Sequence, residues 1–408
     1  MKNESPRSSH LPSSKEKRST VLLFDSDGFS NYTCYLARGL SKYRDVILYS
    51  FSEESFNITG AAKEKGIKFH YIKKWLPKGY SVVRGIIRVF LLFFILFAVL
   101  IRTKYDVVHV QELLPTFFLF IPILKLRKKQ ICWTLHDIET FNPATGINGK
   151  LQVLFSKIVS QPTLMAKYVD KILVHALSLR EQMIAKKVSQ NKINVVRHFD
   201  YRYVLEFNDN NAIIKSNDWI LEEDYGLFLG NIAPWKGIDT LIDAARIART
   251  KIGDKFNLVI AGKPYAGYSI PFFKNFVKED YKFVKIINKY IATSEIPGLV
   301  SKCSFLVLPY NNSFQHSVSG VIPLAYTFRK PVIVSNIPSL AEYVEHAKTG
   351  FIFNDNDSNQ LANYMIELIE NNSQCKEMGK RAYQKLSNEM SLDTCCKSIN
   401  NIYNSFNS

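Results

Sequence analysis

The sequence predicts an α/β protein made of two parallel-sheet domains that face a central cleft. Three observations carry that prediction. Its 408 residues suffice for about two domains at roughly 100–200 residues each. Apolar residues make up 47% and charged residues 22%, the balance of an ordinary globular chain. That balance excludes fibrous, disulfide-dense and wholly disordered classes and argues against a multi-pass membrane protein. Finally, short Val- and Ile-rich runs alternate with helix-length stretches, and the alternation starts twice.

The first series comprises VLLFD from Val21, DVILYSF from Asp45, DVVHVQ from Asp106, QICWTLHD from Gln130, KILVHA from Lys171 and INVVRHF from Ile193. Unbroken apolar runs of this length are strands buried on both faces of a parallel sheet, so residues 20–200 form a first domain. Asn and Asp then break the periodicity across YRYVLEFNDNNAIIKSNDWILEED, which makes residues 201–224 a linker. The second series comprises YGLFLGNI from Tyr225, NLVIAG from Asn257, KIINKYI from Lys285, CSFLVLPY from Cys303, PVIVSN from Pro331 and TGFIF from Thr349. It defines a second domain over 225–390. A last helix, 391–408, is placed to return to the first domain.

Residues 1–19 are polar and lack the apolar core of a secretory signal, so they read as a disordered tail. The six cysteines form no C-x-x-C pair and do not cluster with histidine. That argues against a zinc site and fits a reducing compartment.

Charge is uneven. The chain carries a formal +17, of which residues 20–200 hold +13 and residues 201–408 only +1. Charge confined to one half points to a surface facing something anionic. Nucleic acid is disfavoured, because no interleaved basic and aromatic pattern accompanies the charge. Residues 89–101, VFLLFFILFAVLI, are an unbroken apolar run flanked by Arg84, Arg88, Arg102 and Lys104. This is short of the ~20 residues that cross a bilayer. Two readings stay open: a crossover helix buried against the sheet, or a helix whose outer face enters the lipid interface while its cationic flanks meet anionic headgroups.

Two stretches carry chemistry. In FLGNIAPWKGIDTL, from Phe228, a strand ends near Gly230, a loop holds Pro234 and Lys236, and Gly237 opens a helix. This turn brings an ammonium and free N–H groups to the cleft mouth, as diphosphate binding requires. In LVLPYNNSFQHSVSGVIPLAYTFRKPVIVS, from Leu306, Ser319 and Gly320 open a second helix, and glycine lets bare amides approach an anion. At the first strand-to-helix turn, GFSNY offers Gly28 and Asn31 to the cleft. Asp25-Ser26-Asp27 has the D-x-D form of a metal and nucleotide-sugar motif, but at the end of the first strand it reads as a loop cap.

Taken in order, Gly230 to Gly237, Leu258 to Gly262, Gly320 to Ile333, and Leu340-x-Glu342-x-Val344 with Thr349-Gly350 resemble the second domain of GT-B glycosyltransferases of the retaining, family-4 type. YDVVHVQ, WTLHD and DKILVHA are similar to the first domain more loosely. The resemblance covers about residues 20–390 and implies a GT-B fold of two Rossmann-like domains. It implies transfer of a sugar from a nucleotide diphosphate sugar to an acceptor, with no metal and no cofactor. Lys236 then offsets diphosphate charge, Gly230, Gly237, Gly262, Ser319 and Gly320 shape the donor site, and His136 lies near the transferred sugar.

The departures are specific. Asn231 stands where the family carries arginine and takes that place among the donor-binding candidates, and His316 and Leu324 stand where the family carries paired glutamates. His316, Gln315 and Glu342 are left as candidates for sugar hydroxyl contacts. The resulting expectation is a bacterial surface-polysaccharide glycosyltransferase acting on a glycan or lipid-linked acceptor. It is expected to be cytoplasmic and peripheral on the anionic inner face of the membrane. The alternatives are a lapsed nucleotide-binding or scaffold protein and a GT-B sugar-nucleotide epimerase.

Overall fold

The computed structural model describes residues 18–25, 29–73, 82–111, 115–138, 162–207, 224–265, 282–314 and 316–406. Among them lie two sheets whose neighbouring strands are all parallel. The first contains β1 (Thr20–Phe24), β2 (Asp45–Ser50), β3 (Ile67–Tyr71), β4 (Val107–Val110), β5 (Gln130–Thr134), β6 (Lys171–Val174) and β7 (Ile193–Val195), in the order β3-β2-β1-β4-β5-β6-β7. The second contains β8 (Tyr225–Leu229), β9 (Leu258–Ala261), β10 (Val284–Ile287), β11 (Cys303–Leu308), β12 (Val332–Ser335) and β13 (Gly350–Phe353), in the order β10-β9-β8-β11-β12-β13.

The apolar runs behave as double-sided strands. Leu22, Val108, Ile131 and Ile172 pack into one core layer, while Val21, Leu23, Val107, Cys132 and Leu173 pack into the layer on the other face. Strand order reverses between β1 and β4 and between β8 and β11, and ligands of open α/β sheets bind at such reversals, outside the strands' carboxyl ends. The loops after β1, β8 and β11 are therefore brought to the cleft.

Three features depart from the sequence expectation. β3 was not anticipated: its I-K-F-H-Y alternates, as an edge strand does, and it is mostly half-buried. Tyr201 to Phe207, assigned to the linker, are packed structure with a short 3-10 turn at Arg202–Glu206 and buried Tyr203 and Val204; residues 208–223 lie outside the described residues, as do residues 1–17 of the tail. The apolar run belongs to a longer helix, Val82–Arg102. Its inner face puts Leu96, Val99 and Leu100 into the first core, while Phe90 and Phe94 on the outer face are 61% and 62% exposed. The crossover and surface readings thus each describe one face.

After the second domain, the helix Leu392–Asn404 crosses back. Cys395, Cys396, Ile399 and Tyr403 join the first domain's core beneath the helix Ser30–Leu40. The approach is close: a Cβ on Gly39 would lie 2.4 Å from the Cys396 sulfur.

Candidate active site

A cleft of about 640 Å³ opens between the two domains. From the second domain come the loops after β8 and β11. Pro234–Lys236 form a 3-10 turn, and Gly237 follows at φ 62°. A Cβ there would lie 1.7 Å from the Pro309 carbonyl oxygen, so both backbone conformation and space demand glycine. Asn311 fastens the two loops, donating from its side chain to the Pro234 carbonyl at 3.0 Å and from its amide to the Trp235 carbonyl at 3.1 Å.

This junction sets the Lys236 ammonium 3.6 Å from the Tyr310 ring centroid and 4.3 Å from that of Phe314. The residue is half-buried as a whole, but its charged end lies among aromatic faces. Burial lowers its pKa to about 7, and the nearby Asp137 charge opposes the shift in part. Ser319 is buried, its hydroxyl 3.2 Å from that of Tyr310. Gly320 begins the helix Val321–Thr327, and a Cβ on it would lie 2.4 Å from the Tyr201 hydroxyl.

The first domain contributes His136, at the end of β5. Phe29 stacks on its ring at 3.9 Å, Tyr32 meets it edge-on at 4.8 Å, and Gln111 lies 3.4 Å from its Nε2. Burial first, then the neighbouring His175, His198 and His109, hold its pKa well below the usual value. His175 and His198 are lowered to about 3 and about 4, chiefly by burial. The cleft thus presents neutral imidazoles beside one lysine whose proton is loosely held.

The domains are joined across this site. Asp137 and Ser317 form an antiparallel bridge, and the Ile138 amide donates to the His316 carbonyl at 2.9 Å. Asn31 donates to the Thr293 hydroxyl at 3.3 Å, reaching over the cleft.

Of the residues singled out by sequence, Asn31, His136, Gly230, Lys236, Ser319 and Gly320 line one cavity. Gly262 supports it from behind, since a Cβ there would sit 1.8 Å from the Gly230 carbonyl oxygen. Three assignments are corrected. The Glu342 carboxylate accepts from the amides of Leu177 and Ser178 at 2.8 and 3.2 Å, from the Ser178 hydroxyl at 2.8 Å and from Arg197 at 2.6 Å. It caps the helix Leu177–Ala185, where the helix dipole favours an anion, and clamps the domains together instead of facing the cavity. The His316 ring turns away to Gln182, 2.8 Å from its Oε1. Asn231 is exposed and is not among the cavity's lining residues. Gly28 and Gln315 lie outside the described residues.

Asp25 is the loop cap that its position suggested. Buried, it accepts from Ser30 and Ser50 at 2.6 Å each and from Thr33 at 3.2 Å, and burial raises its pKa to about 6. Among the described residues, no three His, Cys, Asp or Glu side chains are grouped to hold a metal ion.

Sequence reasoning missed Phe29, Tyr32, Asp137, His198, Tyr201 and Tyr310. Tyr201 falls in the stretch assigned to the linker, and the others lie inside quoted stretches (GFSNY, WTLHD, INVVRHF and the run from Leu306) in which other residues, or none, were singled out. One signal was available: three of them are aromatic residues immediately after, or one turn beyond, a strand that the pattern had located.

Two parallel-sheet domains meeting over a lysine turn and a Ser-Gly turn define a GT-B transferase. The family model for glycosyl transferases group 1 matches residues 209–385, and that for Glycosyltransferase Family 4 matches residues 26–199. The chain belongs to these GT-B glycosyltransferases and is an enzyme of that class. It is 26% identical over 267 residues to an uncharacterized glycosyltransferase of Methanocaldococcus jannaschii, covering 62% of this chain and 72% of the relative. It is 23% identical over 235 residues to the capsular polysaccharide biosynthesis glycosyltransferase CapM of Staphylococcus aureus, covering 56% of this chain and 60% of that protein. The crystal structure of Anabaena HepE in complex with UDP has the same fold, with a TM-score of 0.65 at 17% identity over 95% of this chain and 100% of that one.

Proposed function

We propose that this glycosyltransferase takes a sugar from a nucleotide diphosphate sugar and passes it, with retention and without a metal, to a lipid-linked glycan in bacterial surface polysaccharide synthesis. The observation that carries the reading is the Lys236 ammonium, held against the paired rings of Tyr310 and Phe314 in the cavity that Ser319 and Gly320 also line. A lysine held near neutrality gains most when an anion arrives. As the glycosidic bond breaks, charge grows on the leaving diphosphate, and a preorganised donor there stabilises the transition state more than the ground state. The bound diphosphate raises the lysine pKa, so the ammonium is fully charged when it is needed. The neutral His136 serves the sugar hydroxyls as a hydrogen-bonding group that does not compete for the diphosphate.

HepE has been crystallised with UDP and with UDP-glucose, which makes a uridine nucleotide the first donor to test. The similarity to CapM favours a capsule-type glycan. The +13 of residues 20–200 and the exposed phenylalanines of the helix Val82–Arg102 favour a lipid-borne acceptor and a peripheral position on the inner membrane face. Among the described residues, no helix is long and apolar enough to cross a membrane.

The test is transfer and hydrolysis by purified protein across UDP- and GDP-sugars, with lipid extract as acceptor and EDTA present. One donor is expected to be consumed with EDTA, giving a product that keeps the donor's anomeric configuration by NMR. Thermal stabilisation by a nucleotide with no turnover of any donor would overturn transfer in favour of a lapsed binding protein. Loss of turnover in EDTA, restored by magnesium, would overturn the metal-free step.

A further inference from the structure

The first domain's charge has a second focus, at the opposite end of its sheet from the cleft. A cavity of about 630 Å³ opens where β1, β4 and β5 begin, with Thr20, Val107 and Gln130 in its wall. Arg18, Arg44, Lys104, Arg127, Lys128 and Lys129 line it, against one carboxylate, Asp106. The Asp106 Oδ2 already accepts from the Thr20 amide at 2.8 Å. Arg44 is only 5% exposed, and its guanidinium donates to three neutral oxygens, those of Asn400 at 2.7 Å, Ser19 at 2.6 Å and Asn404 at 2.5 Å. Buried charges are normally paired; Arg44 hydrogen-bonds only to neutral oxygens, and the single Asp106 carboxylate among six cations leaves the cavity electropositive.

The cavity adjoins the helix Val82–Arg102. The carbonyl of Leu100, in its last turn, accepts from the Tyr105 hydroxyl at 2.9 Å and from Arg127, and Lys104 stands two residues beyond the helix end. Along its outer face Ile87, Phe90, Phe94, Phe97 and Ile101 are 39–62% exposed. Their spacing of three and four residues draws one stripe. Five of the eleven exposed large apolar side chains among the described residues thus share one helix face, a concentration that marks an interaction surface; exposed Leu119 and Leu126 belong to the neighbouring segment, which packs on this helix through Phe120 on Phe93. The helix is about 30 Å long and begins nine residues after Lys73, which lines the cleft. It therefore runs from the cleft side of the domain to the basic cavity.

We propose that this face docks on an anionic bilayer, the Ile87–Ile101 stripe entering the acyl boundary and the basic cavity receiving a phosphate-bearing lipid headgroup. The proposal deepens the lipid-linked acceptor reading, and it explains how the cleft mouth would lie beside the lipid. The chemistry favours a membrane over a protein partner: an apolar stripe one helix wide beside a cluster of cations matches the acyl and headgroup chemistry of an anionic bilayer.

The test is flotation of the full-length protein with phosphatidylcholine vesicles, alone or with roughly 30% phosphatidylglycerol. Wild type is expected to float only with the anionic vesicles. Phe90→Ser with Phe94→Ser is expected to weaken binding at least about tenfold, since each removes exposed apolar area and none of the core. Lys104→Gln and Lys128→Gln are each expected to weaken it about fivefold, in proportion to the charge lost near the surface. Melting temperature and donor hydrolysis, measured without lipid, should stay at wild-type values in all of these variants. Stripe variants that float like wild type overturn the proposal, as does wild type that binds both vesicles equally. Glycerol phosphate that binds the cavity and fails to compete with vesicles would show a free-anion site and overturn the headgroup assignment. Self-association without vesicle binding would assign the face to a second copy of the chain. Docking by an enzyme that hydrolyses no donor would leave this inference standing and remove the transfer reading; hydrolysis without docking would do the reverse.

Discussion

The molecule holds positive charge in two contrasting ways. In the cleft, one ammonium sits against the paired rings of Tyr310 and Phe314, and burial lowers its pKa to about 7. At the other end of the first sheet, six cations share a cavity with one carboxylate. The first arrangement responds strongly to a ligand, because an arriving anion restores a charge that the protein had suppressed. The second is charged before anything arrives and so suits long-range attraction to a surface. The two kinds of charge thus lie at opposite ends of the first sheet.

The contrast is broken most directly at Lys236. Lys236→Ala should lower kcat by two to three orders of magnitude, the effect of about 2.7–4 kcal/mol in the barrier, while circular dichroism and melting temperature stay near wild type. Near-normal turnover would remove the lysine from the mechanism. The clamp beside the cleft should answer differently. Glu342→Ala strips Arg197 and the helix Leu177–Ala185 of their anion, so we expect a loss of about 1–3 kcal/mol in denaturant unfolding with little change in donor KM. A large KM effect at unchanged stability would return Glu342 to the sugar site.

A smaller and sharper effect concerns the Ser-Gly turn. Gly320→Ala should destabilise the fold by about 1 kcal/mol and weaken donor binding, since its Cβ meets the Tyr201 hydroxyl. Adding Tyr201→Phe removes that oxygen and should restore part of both losses in a double-mutant cycle. Additive losses would show that Tyr201 does not set the space over Gly320.

The pH dependence is the mildest prediction and the one that separates the two kinds of charge. With the Lys236 pKa lowered to about 7, the free site is mostly charged near pH 6 and mostly neutral near pH 9. A diphosphate raises that pKa, so donor binding takes up a proton above neutrality and weakens by up to about tenfold per pH unit. Calorimetry in buffers of different ionisation enthalpy reads the proton directly. Stability runs the other way, rising with pH where donor binding falls. The unfolded lysine binds its proton more tightly than the folded one, so this group's penalty on the fold is largest below pH 7 and fades as pH rises toward 10.

Much of this was legible in the residues. Twelve strands came from apolar runs, because a strand covered on both faces needs no alternation to be recognised. The exception, β3, is an edge strand whose I-K-F-H-Y carries too little continuous apolar length. Within the site, Lys236, Gly237 and Ser319-Gly320 were visible because their roles depend on local turn geometry. Glu342 and His316 were misassigned because spacing along the chain says which end of an element a residue occupies, and nothing about which neighbour its side chain meets. Both turned out to face the helix Leu177–Ala185, supplied by the other domain.

By itself, then, the sequence determined the two-sheet architecture, the lysine and glycine turns of the second domain, and the asymmetric charge. Each is written in short-range pattern: periodicity, turn chemistry and composition act over a few residues. Only the tertiary structure decided which face of the helix Val82–Arg102 is buried, that Tyr201 lies over Gly320, that Lys236 packs against Tyr310 and Phe314, and that the returning last helix meets Arg44 with Asn400 and Asn404. Those outcomes depend on burial and on partners tens to hundreds of residues away, and desolvation, the largest influence on Lys236 and on the buried histidines, exists only once the chain has closed around them.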